Sequence, residues 1–597
     1  MKKIIFFLLL GAFLIISCKS ETKTEVVVPE IVNDSRAFNE MLADFYERSL
    51  QLNPIKATFT GDKRYNASFP NFLSEAYKDS SIAFYKNYKR RLNNFDDKAL
   101  SDVEKMSKAV LLWDCNINLE ALKFKTDLMP IDQMWSLNLV VGQLASGKSA
   151  QPFETVQDYE NWLLRLEGYT QWLHTAKAKM KEGVDIRYVL PNALITKVIP
   201  QLKTMTNKNL EEHLFYSPVK NFPKTFTEAE RNALTASYTR MIEDKIIPAY
   251  DSLYNYMTSD YLKSGRVSSG IDAIPGGKEY YDFAIKKYTT TDLTAEEIHQ
   301  IGLKEVARIL VEMEQVKSQV KFEGELMEFF DFVRENKKLM PYTKPQQVID
   351  NFNEIHDKMQ PQLDKLFNKK PKSKFVVKRT EAFREASASA QYNAGSLDGE
   401  RPGTFYVPIP DAKTYNVFSD EALFLHEAIP GHHYQISLTQ ENENLPQFRK
   451  TLWYSAYGEG WALYTESLGK ELGLYKDPYQ YFGMLGMEMH RAIRLVVDTG
   501  MHAKGWTREE AIQYSLENEA ESEASIIAEI ERYMANPGQA LAYKVGQLKI
   551  IELRNKAESI LGEKFDIREF HDQVLETGSV PLALLEIKID NWIAWHE

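Results

Sequence analysis

Residues 426–433 read His-Glu-Ala-Ile-Pro-Gly-His-His, and this stretch determines how the rest of the chain is interpreted. The chain of 597 residues contains only 11 histidines, so three of them within eight positions form a local concentration. Neutral imidazoles bind zinc, and a neighbouring carboxylate that does not bind the metal can accept a proton from water. The stretch therefore predicts a zinc-dependent hydrolase in which His426 is a ligand and Glu427 is the general base.

The second histidine ligand lies unusually far along the sequence from His426. In the common His-Glu-x-x-His arrangement, two histidines one helical turn apart share one face of a helix. In an unbroken helix His432 would lie about 9 Å further along the axis. Pro430 disrupts helical hydrogen bonding and Gly431 permits unusual backbone angles, so we predict a bulge that returns His432 to the ligand position. His433 is the competing ligand, and a histidine-rich helix end without metal is the alternative to both.

The third zinc ligand is sought in residues 457–466, which read Tyr-Gly-Glu-Gly-Trp-Ala-Leu-Tyr-Thr-Glu. A catalytic zinc ion takes three protein ligands and keeps a fourth position for water. Glu459 lies between two glycines that allow close backbone approach in a crowded site, so it is the predicted ligand. Glu466 could orient a ligand histidine. The rival third ligands are His490, His502 and Glu488.

A short strand is predicted at residues 404–407, Thr-Phe-Tyr-Val, between Gly403 and Pro408. It lies about twenty residues before the histidine motif. We expect its free edge to pair with an extended peptide substrate, with Tyr406 contacting that substrate. A strand in a hairpin of the core is the alternative.

Signals for helices dominate the remainder of the chain. Four Ser/Thr-x-x-Glu capping boxes begin at Ser101, Thr227, Thr294 and Thr507. Apolar residues spaced three and four apart predict one long amphipathic helix from Thr294 to Val320. A net charge of -11, from 84 acidic and 73 basic residues, argues against a nucleic-acid partner. We therefore predict a mainly α fold with a short β-sheet beside the active-site helix.

The N-terminus resembles a bacterial lipoprotein signal. Lys2 and Lys3 precede an apolar run of 13 residues, too short to cross a membrane comfortably, which ends at Ser17-Cys18. We predict a signal peptide over 1–18 with lipidation at Cys18, a flexible tether over 19–37, and a single helical domain over 38–597. The protein would then lie in the bacterial cell envelope, anchored to a membrane by lipid and facing the periplasm or the exterior. Ordinary secretion is the alternative.

The motif His-Glu-x-x-Pro-Gly-His-His-x-Gln, followed by Gly-Glu-Gly-Trp-Ala, resembles a bacterial family designated a domain of unknown function. Proteins of that family are similar to the helical gluzincin zinc peptidases, such as angiotensin-converting enzyme and the carboxypeptidase Taq type. This resemblance implies a large helical peptidase fold. It also implies zinc ligands at His426, His432 and Glu459, with Glu427 as general base.

The resemblance also suggests further residues of the site. Such peptidases use a distant Tyr or His to stabilise the oxyanion, which here would be Tyr543 or His502. Arg494 and Arg532 are candidate ligands for a substrate carboxylate. The predicted function is zinc-dependent hydrolysis of short peptides, as a carboxypeptidase, dipeptidase or oligopeptidase. The alternatives are a non-catalytic envelope lipoprotein that binds peptide or metal, and a metal-dependent amidase acting on cell-wall fragments.

Overall fold

Helices account for most of the residues that the computed structural model describes, which are 34–380, 385, 389–397, 399 and 401–596. The prediction of a mainly α fold with a small sheet is confirmed. The predicted signal peptide, Cys18 and tether residues 19–33 lie outside the described residues. The first helix begins at Ser35, three residues before the predicted start of the helical domain.

The α-helices are numbered in chain order. The first group comprises α1 (Ser35–Leu52), α2 (Pro54–Phe59), α3 (Glu75–Leu92), α4 (Asp102–Ala121), α5 (Leu137–Ala145), α6 (Val156–Asp185), α7 (Asn192–Thr204), α8 (Ser217–Lys220), α9 (Glu228–Met241), α10 (Ile247–Tyr256), α11 (Leu262–Ser264) and α12 (Gly277–Thr289). The middle group comprises α13 (Ala295–Gln319), α14 (Leu326–Glu335), α15 (Pro345–Met359), α16 (Asp420–Glu427), α17 (His432–Glu441), α18 (Gln447–Lys450) and α19 (Ser455–Ser467). The last group comprises α20 (Pro478–Ala503), α21 (Arg508–Asn518), α22 (Glu523–Ala535), α23 (Ala542–Leu561), α24 (Ile567–Glu576) and α25 (Leu582–His596).

The capping boxes determine where several helices begin. Each of the four predicted boxes is formed, with the side chain of the cap residue accepting from the N3 backbone and the N3 glutamate accepting from the cap backbone. These reciprocal bonds satisfy backbone N–H groups that have no partner within the helix. The long helix predicted from Thr294 is confirmed as α13, whose buried face includes Ile298, Ile309 and Met313.

The core is one continuous cluster of buried apolar side chains that extends from Phe38 to Ile593. Within it α13 packs along α20, and an added Cβ at Gly302 would lie 2.7 Å from Cβ of Leu495. This close approach requires glycine on α13. Among the described residues, no helix combines the length and the apolar composition that crossing a membrane requires.

The sheet has three strands, β1 (Phe375–Arg379), β2 (Gln391–Asn393) and β3 (Gly403–Val407), in the order β1-β3-β2. The predicted strand is present as β3, but it is the central strand. It pairs in parallel with all of β1 and antiparallel with β2. Both edges of β3 are therefore hydrogen-bonded within the protein, and the prediction that its free edge pairs with a substrate is wrong.

Candidate metal centre

The histidine motif spans a break between two helices. α16 ends at Glu427 and α17 begins at His432. Gly431 packs against the last turn of α16, where an added Cβ would lie 2.0 Å from the carbonyl oxygen of His426, so only glycine fits. We predicted a bulge within one helix, whereas the chain leaves the helix and begins another. The reason is that Pro430 cannot donate the hydrogen bond that would continue α16, and Gly431 permits the close return.

Three side chains converge where these helices meet α19. The Nε2 atoms of His426 and His432 lie 3.7 and 3.4 Å from Oε2 of Glu459. One ligand atom from each residue can be chosen so that all three lie within 4.8 Å of one another. Ligands bound tetrahedrally to one zinc ion at about 2.1 Å are about 3.4 Å apart. The two imidazoles and the carboxylate thus fit the ligand set of a catalytic zinc ion, with a fourth position left over.

His426 is oriented by a second carboxylate. Its Nδ1 lies 2.7 Å from Oε1 of Glu466, whose side chain is almost completely buried. Donation from Nδ1 to Glu466 selects the tautomer that leaves Nε2 available as a ligand atom. The prediction that Glu466 would orient a ligand histidine agrees with this contact. Tyr475 fixes the end of α19 by donating to the backbone carbonyl of Glu466 at 2.8 Å.

The protonation of the cluster follows from these contacts. Burial lowers the pKa of His426, but the hydrogen bonds to Glu459 and Glu466 outweigh burial and raise it to about 9. Burial raises the pKa of Glu459, but the electrostatic field of His432 and the contacts with His426 lower it by a larger amount, so the net effect is a pKa below the usual value. Glu459 is therefore a carboxylate at neutral pH, which is the form that binds a metal. A metal ion would compete with the proton held by His426.

Glu427 lies beside the three converging groups. Its side chain is buried, and its Oε2 atom has no hydrogen-bond partner within the described part of the chain. Burial raises the pKa of Glu427, while the fields of His426 and His432 lower it. Both imidazoles are thus within electrostatic reach of this carboxylate. A buried carboxylate beside two imidazoles, with one oxygen atom unpaired, is chemically suited to accept a proton from water.

The structure separates the two adjacent histidines of α17. His433 faces the sheet, where its Nδ1 lies 2.9 Å from the Tyr392 hydroxyl and 3.3 Å from the Ser437 hydroxyl, and its ring packs on Phe375. Burial lowers the pKa of His433 to about 4. Its neighbour His432 is the one that faces Glu459. Of the two alternatives left open by the sequence, the geometry favours His432.

Helix α19 is tied to the motif by side-chain hydrogen bonds. The indole N–H of Trp461 donates to the carbonyl of Pro430 at 2.8 Å, and the hydroxyl of Thr465 donates to the carbonyl of Leu425 at 2.9 Å. Both contacts are buried, where hydrogen bonds are costly to lose. They hold Glu459 at a fixed position relative to α16.

Glycines allow α19 and α23 to touch, and this contact gives a first prediction. An added Cβ at Gly546 would lie 1.9 Å from the carbonyl oxygen of Ala456. We expect Gly546→Ala to push the helices apart and to reduce the free energy of unfolding by about 1–3 kcal/mol, measured by thermal and urea denaturation. Gly486→Ala on α20 is the matched control, because no heavy atom lies within 4 Å of its added Cβ. That variant should be as stable as wild type or more so; equal loss of stability in both would contradict the packing argument.

His502 is not available to a substrate. Its Nδ1 accepts from the backbone N–H of Ile271 at 3.0 Å, and its Nε2 donates to the carbonyl of Tyr533 at 3.1 Å. Burial lowers the pKa of His502 to about 3, so it stays neutral. Both ring nitrogens hold backbone groups together, which corrects the prediction that His502 donates to an oxyanion.

The rival metal ligands are also occupied elsewhere. Nδ1 of His490 lies 2.6 Å from Oε2 of Glu519. Glu488 accepts from the ammonium group of Lys544 at 2.6 Å. Neither rival belongs to the group of side chains that could hold an ion, which leaves Glu459 as the third member.

Arg494, Arg532 and Tyr543 are brought together, but as partners of one another. The two guanidinium groups lie 2.8 and 2.9 Å from the same carboxylate oxygen of Glu529. Arg494 also lies over the ring of Tyr543, 4.5 Å from its centroid. Each arginine thus has an internal partner. Their contacts with a substrate, and the role of Tyr543, remain predictions.

A cavity of about 1340 Å³ adjoins the candidate metal centre. Its walls include Tyr392 and Tyr406 from the sheet and Gln435, which lies one helical turn after His432. Trp453 lines the cavity, and its ring centroid lies 5.7 Å from that of His432. His426, His432 and Glu459 are not among the described residues that line the cavity, but Trp453 both lines it and packs on His432. Tyr406 thus faces a cavity, although β3 has no free edge.

Trp453 and Arg491 were missed by reasoning from the sequence. The field of Arg491 lowers the pKa of Glu427, and its Nε atom is buried with no hydrogen-bond partner among residues 34–380 and 401–596 or the described residues between them. No local motif marks either residue. In the structure Trp453 packs on Gly458, where an added Cβ would lie 2.2 Å from the indole ring.

The fold and the site define a class of protein: a large helical protein with two buried histidines and one partly buried glutamate grouped beside a cavity. The chain belongs to the family described as "Bacterial protein of unknown function (DUF885)", which matches residues 54–589. This confirms the predicted membership of a bacterial family of unknown function. No curated protein sequence matches the chain.

Two solved structures are similar to this chain. A candidate lipoprotein from Colwellia psychrerythraea shares 28% sequence identity with a TM-score of 0.86, and the match covers 94% of this chain and 99% of that one. A candidate lipoprotein of unknown function from Shewanella oneidensis shares 20% identity with a TM-score of 0.73, and the match covers 92% of this chain and 99% of that one. The second similarity concerns the fold alone.

Proposed function

We propose that this protein hydrolyses peptide bonds in short peptides, with zinc held by His426, His432 and Glu459. The observation that carries the proposal is the convergence of two imidazole nitrogens and one carboxylate oxygen at 3.4 and 3.7 Å, beside the buried carboxylate of Glu427, whose Oε2 atom has no hydrogen-bond partner among the described residues. A site that only bound metal would have no need for Glu427. The resemblance to gluzincin peptidases supports the same reaction by analogy of motif.

Each residue has a distinct role in the proposed reaction. Glu427 accepts a proton from the attacking water and later donates it to the nitrogen of the leaving amine, as the C–N bond breaks. Glu466 keeps Nε2 of His426 directed at the site. Zinc, when bound, would supply Lewis acidity at the reacting carbonyl and water. Trp453 contacts His432 and lines the cavity, so it would lie beside a bound peptide.

The cavity supports short peptides as the substrate class. Its volume of about 1340 Å³ exceeds the range of about 300–1,000 Å³ typical of pockets for one small molecule. A peptide of several residues would fit, whereas a folded protein would not. The lining also includes polar groups of the kind that pair with a peptide backbone.

The experiment that tests the proposal combines a metal assay with a peptide digest. Purified protein is loaded with zinc, its metal content is measured by mass spectrometry, and a mixed peptide set is incubated with it. We expect one zinc ion per chain and cleavage products that disappear after chelation. Zinc binding without cleavage of any peptide would favour a binding protein, and cleavage confined to cell-wall fragments would favour an amidase.

We also propose that the protein is a lipoprotein of the cell envelope, anchored through Cys18. The basic residues and the apolar run before Cys18 support this, as does the similar structure at 28% identity, which is described as a candidate lipoprotein. Cys18→Ser should release the protein from the membrane fraction into the soluble fraction, detected by immunoblot after ultracentrifugation. An alanine substitution at Ser20, just after the cysteine, serves as the control and should leave the protein membrane-bound. A wild-type protein that is already soluble would contradict the anchor.

A further inference from the structure

Among the described residues, the charged side chains that line the cavity are nearly all cationic. One of the described lining residues is acidic, Glu154, and it lies 3.2 Å from the ammonium group of Lys63. The whole chain carries a net charge of -11, so this concentration of positive charge runs against the composition. The cationic lining residues are Lys56, Lys63, Lys148, Arg401 and Lys450. A cavity lined in this way attracts anions.

Two of these cations lie on helices that pack against a common neighbour. Lys450 ends α18, three residues before Trp453, and Lys56 lies on α2. Helix α1 packs against both α2 and α18, and the ring centroids of Phe45 on α1 and Phe448 on α18 lie 5.7 Å apart. The two lysines therefore line the same cavity from neighbouring helices.

Neither ammonium group is neutralised by a close contact. Lys56 and Lys450 are half-buried, and in the described part of the chain neither makes a side-chain hydrogen bond or an ion pair. Burial lowers the pKa of Lys56, with Asp114 acting in the opposite sense. A half-buried ammonium group without a close partner gains more from an incoming anion than a solvated surface lysine does.

The lining of the cavity also includes three side-chain amides, those of Asn138, Gln201 and Gln435. A primary amide offers both a donor N–H₂ group and an acceptor oxygen. Such groups match the C=O and N–H groups of a peptide backbone. Gln435 lies one helical turn from His432, so a peptide paired with it would lie close to the candidate metal centre.

We propose that the cavity binds acidic peptides, with Lys56 and Lys450 recognising carboxylate side chains and the amides of Asn138, Gln201 and Gln435 pairing with the backbone. The claim that acidic peptides are the substrates rests on the proposed hydrolytic function. The claim that the cavity binds acidic peptides does not depend on that function. Lys56 and Lys450 are then the residues that determine specificity. The positive charge selects glutamate or aspartate residues over their neutral amide counterparts.

The test uses two peptides that differ only in charge, tetraglutamate and tetraglutamine. Their binding to chelator-treated wild-type protein is measured by calorimetry at low salt, where no hydrolysis interferes. We expect tetraglutamate to bind at least about tenfold more tightly, since hydrogen bonds to charged groups are among the stronger ones. We expect that preference to shrink at high salt. Equal affinity for the two peptides would overturn the proposal without any variant being made.

Substitutions then locate the preference. Lys56→Met and Lys450→Met keep the length of the side chain and remove its charge, so each should lower the affinity for tetraglutamate several-fold and leave that for tetraglutamine unchanged. The double variant should bind both peptides within about twofold of each other. Lys224→Met is the matched control, at an exposed lysine that does not line the cavity. A double variant that folds and keeps the wild-type preference would overturn the assignment of these lysines.

The failures of the two proposals can be told apart. Preferential binding of tetraglutamate, with no cleavage of any peptide by zinc-loaded protein, would contradict the proposed hydrolysis and support the acidic ligand. Cleavage of neutral and acidic peptides with equal kcat/KM, together with equal binding, would support hydrolysis and contradict the acidic preference.

Discussion

His432→Ala should abolish stoichiometric zinc binding, whereas His433→Ala should retain it. Nε2 of His432 lies 3.4 Å from Oε2 of Glu459, while His433 faces the Tyr392 hydroxyl in the sheet. Loss of one of three protein ligands leaves an incomplete set, and affinity should fall by far more than the 10–100-fold cost of losing an outer partner. The measurement is the zinc content of each purified variant after dialysis against a buffer with a weak chelator.

The adjacent substitutions control for each other, because both remove a buried imidazole from the same helix. His433→Ala loses the contacts with Tyr392 and Ser437, so a lower melting temperature with retained zinc is compatible with the assignment. Glu459→Ala should behave like His432→Ala. Retention of zinc in His432→Ala with loss in His433→Ala would show that the other histidine is the ligand.

Features that depend on a few neighbouring residues could be predicted from the sequence. The capping boxes at Thr294 and Thr507 involve residues three positions apart, so local chemistry is sufficient to place the helix starts. The pairing of His426 with Glu466 could be anticipated because both belong to recognisable motifs, and a ligand histidine usually donates its second N–H to a carboxylate.

Features that depend on pairing across long separations could not be predicted. β3 becomes a central strand because β1, which begins at Phe375, pairs with it in parallel, and no sequence pattern near β3 specifies that neighbour. His502 is removed from the site because the backbone of Ile271, more than two hundred residues away, occupies its Nδ1. Strand order and burial of this kind emerge only from the tertiary fold.

The charged lining of the cavity beside the candidate site could not be predicted from the sequence either. Lys56 and Lys450 lie almost four hundred residues apart in the sequence and line the same cavity because α1 packs against both α2 and α18. A single lysine in a sequence does not indicate which residues or which cavity its side chain will contact in the fold. The histidine motif identified where chemistry could occur, whereas the choice of substrate is determined by residues that no motif marks.

Glu427→Gln should reduce peptide hydrolysis at least ~10²-fold while leaving the zinc content unchanged. General acid–base assistance is typically worth ~10²–10⁴-fold, and glutamine keeps the shape of glutamate but cannot accept the proton. Glu427 is not one of the three converging groups, so the metal should still bind. Its carboxylate is buried, burial raises its pKa, and its Oε2 atom has no partner within the described residues, so a neutral amide should not destabilise the fold.

The measurement is kcat/KM for peptide cleavage by zinc-loaded wild-type and Glu427→Gln proteins, with zinc content and melting temperature recorded for each. Glu421→Gln is the matched control, since Glu421 lies on the same helix and accepts from the backbone N–H of Tyr475 at 2.6 Å. That variant should keep hydrolysis within a few-fold of wild type. Because binding of metal and folding are preserved in Glu427→Gln, the difference between the two variants isolates proton transfer. Hydrolysis at the wild-type rate in Glu427→Gln would mean that another group is the base, and the roles inferred from the buried carboxylate would be wrong.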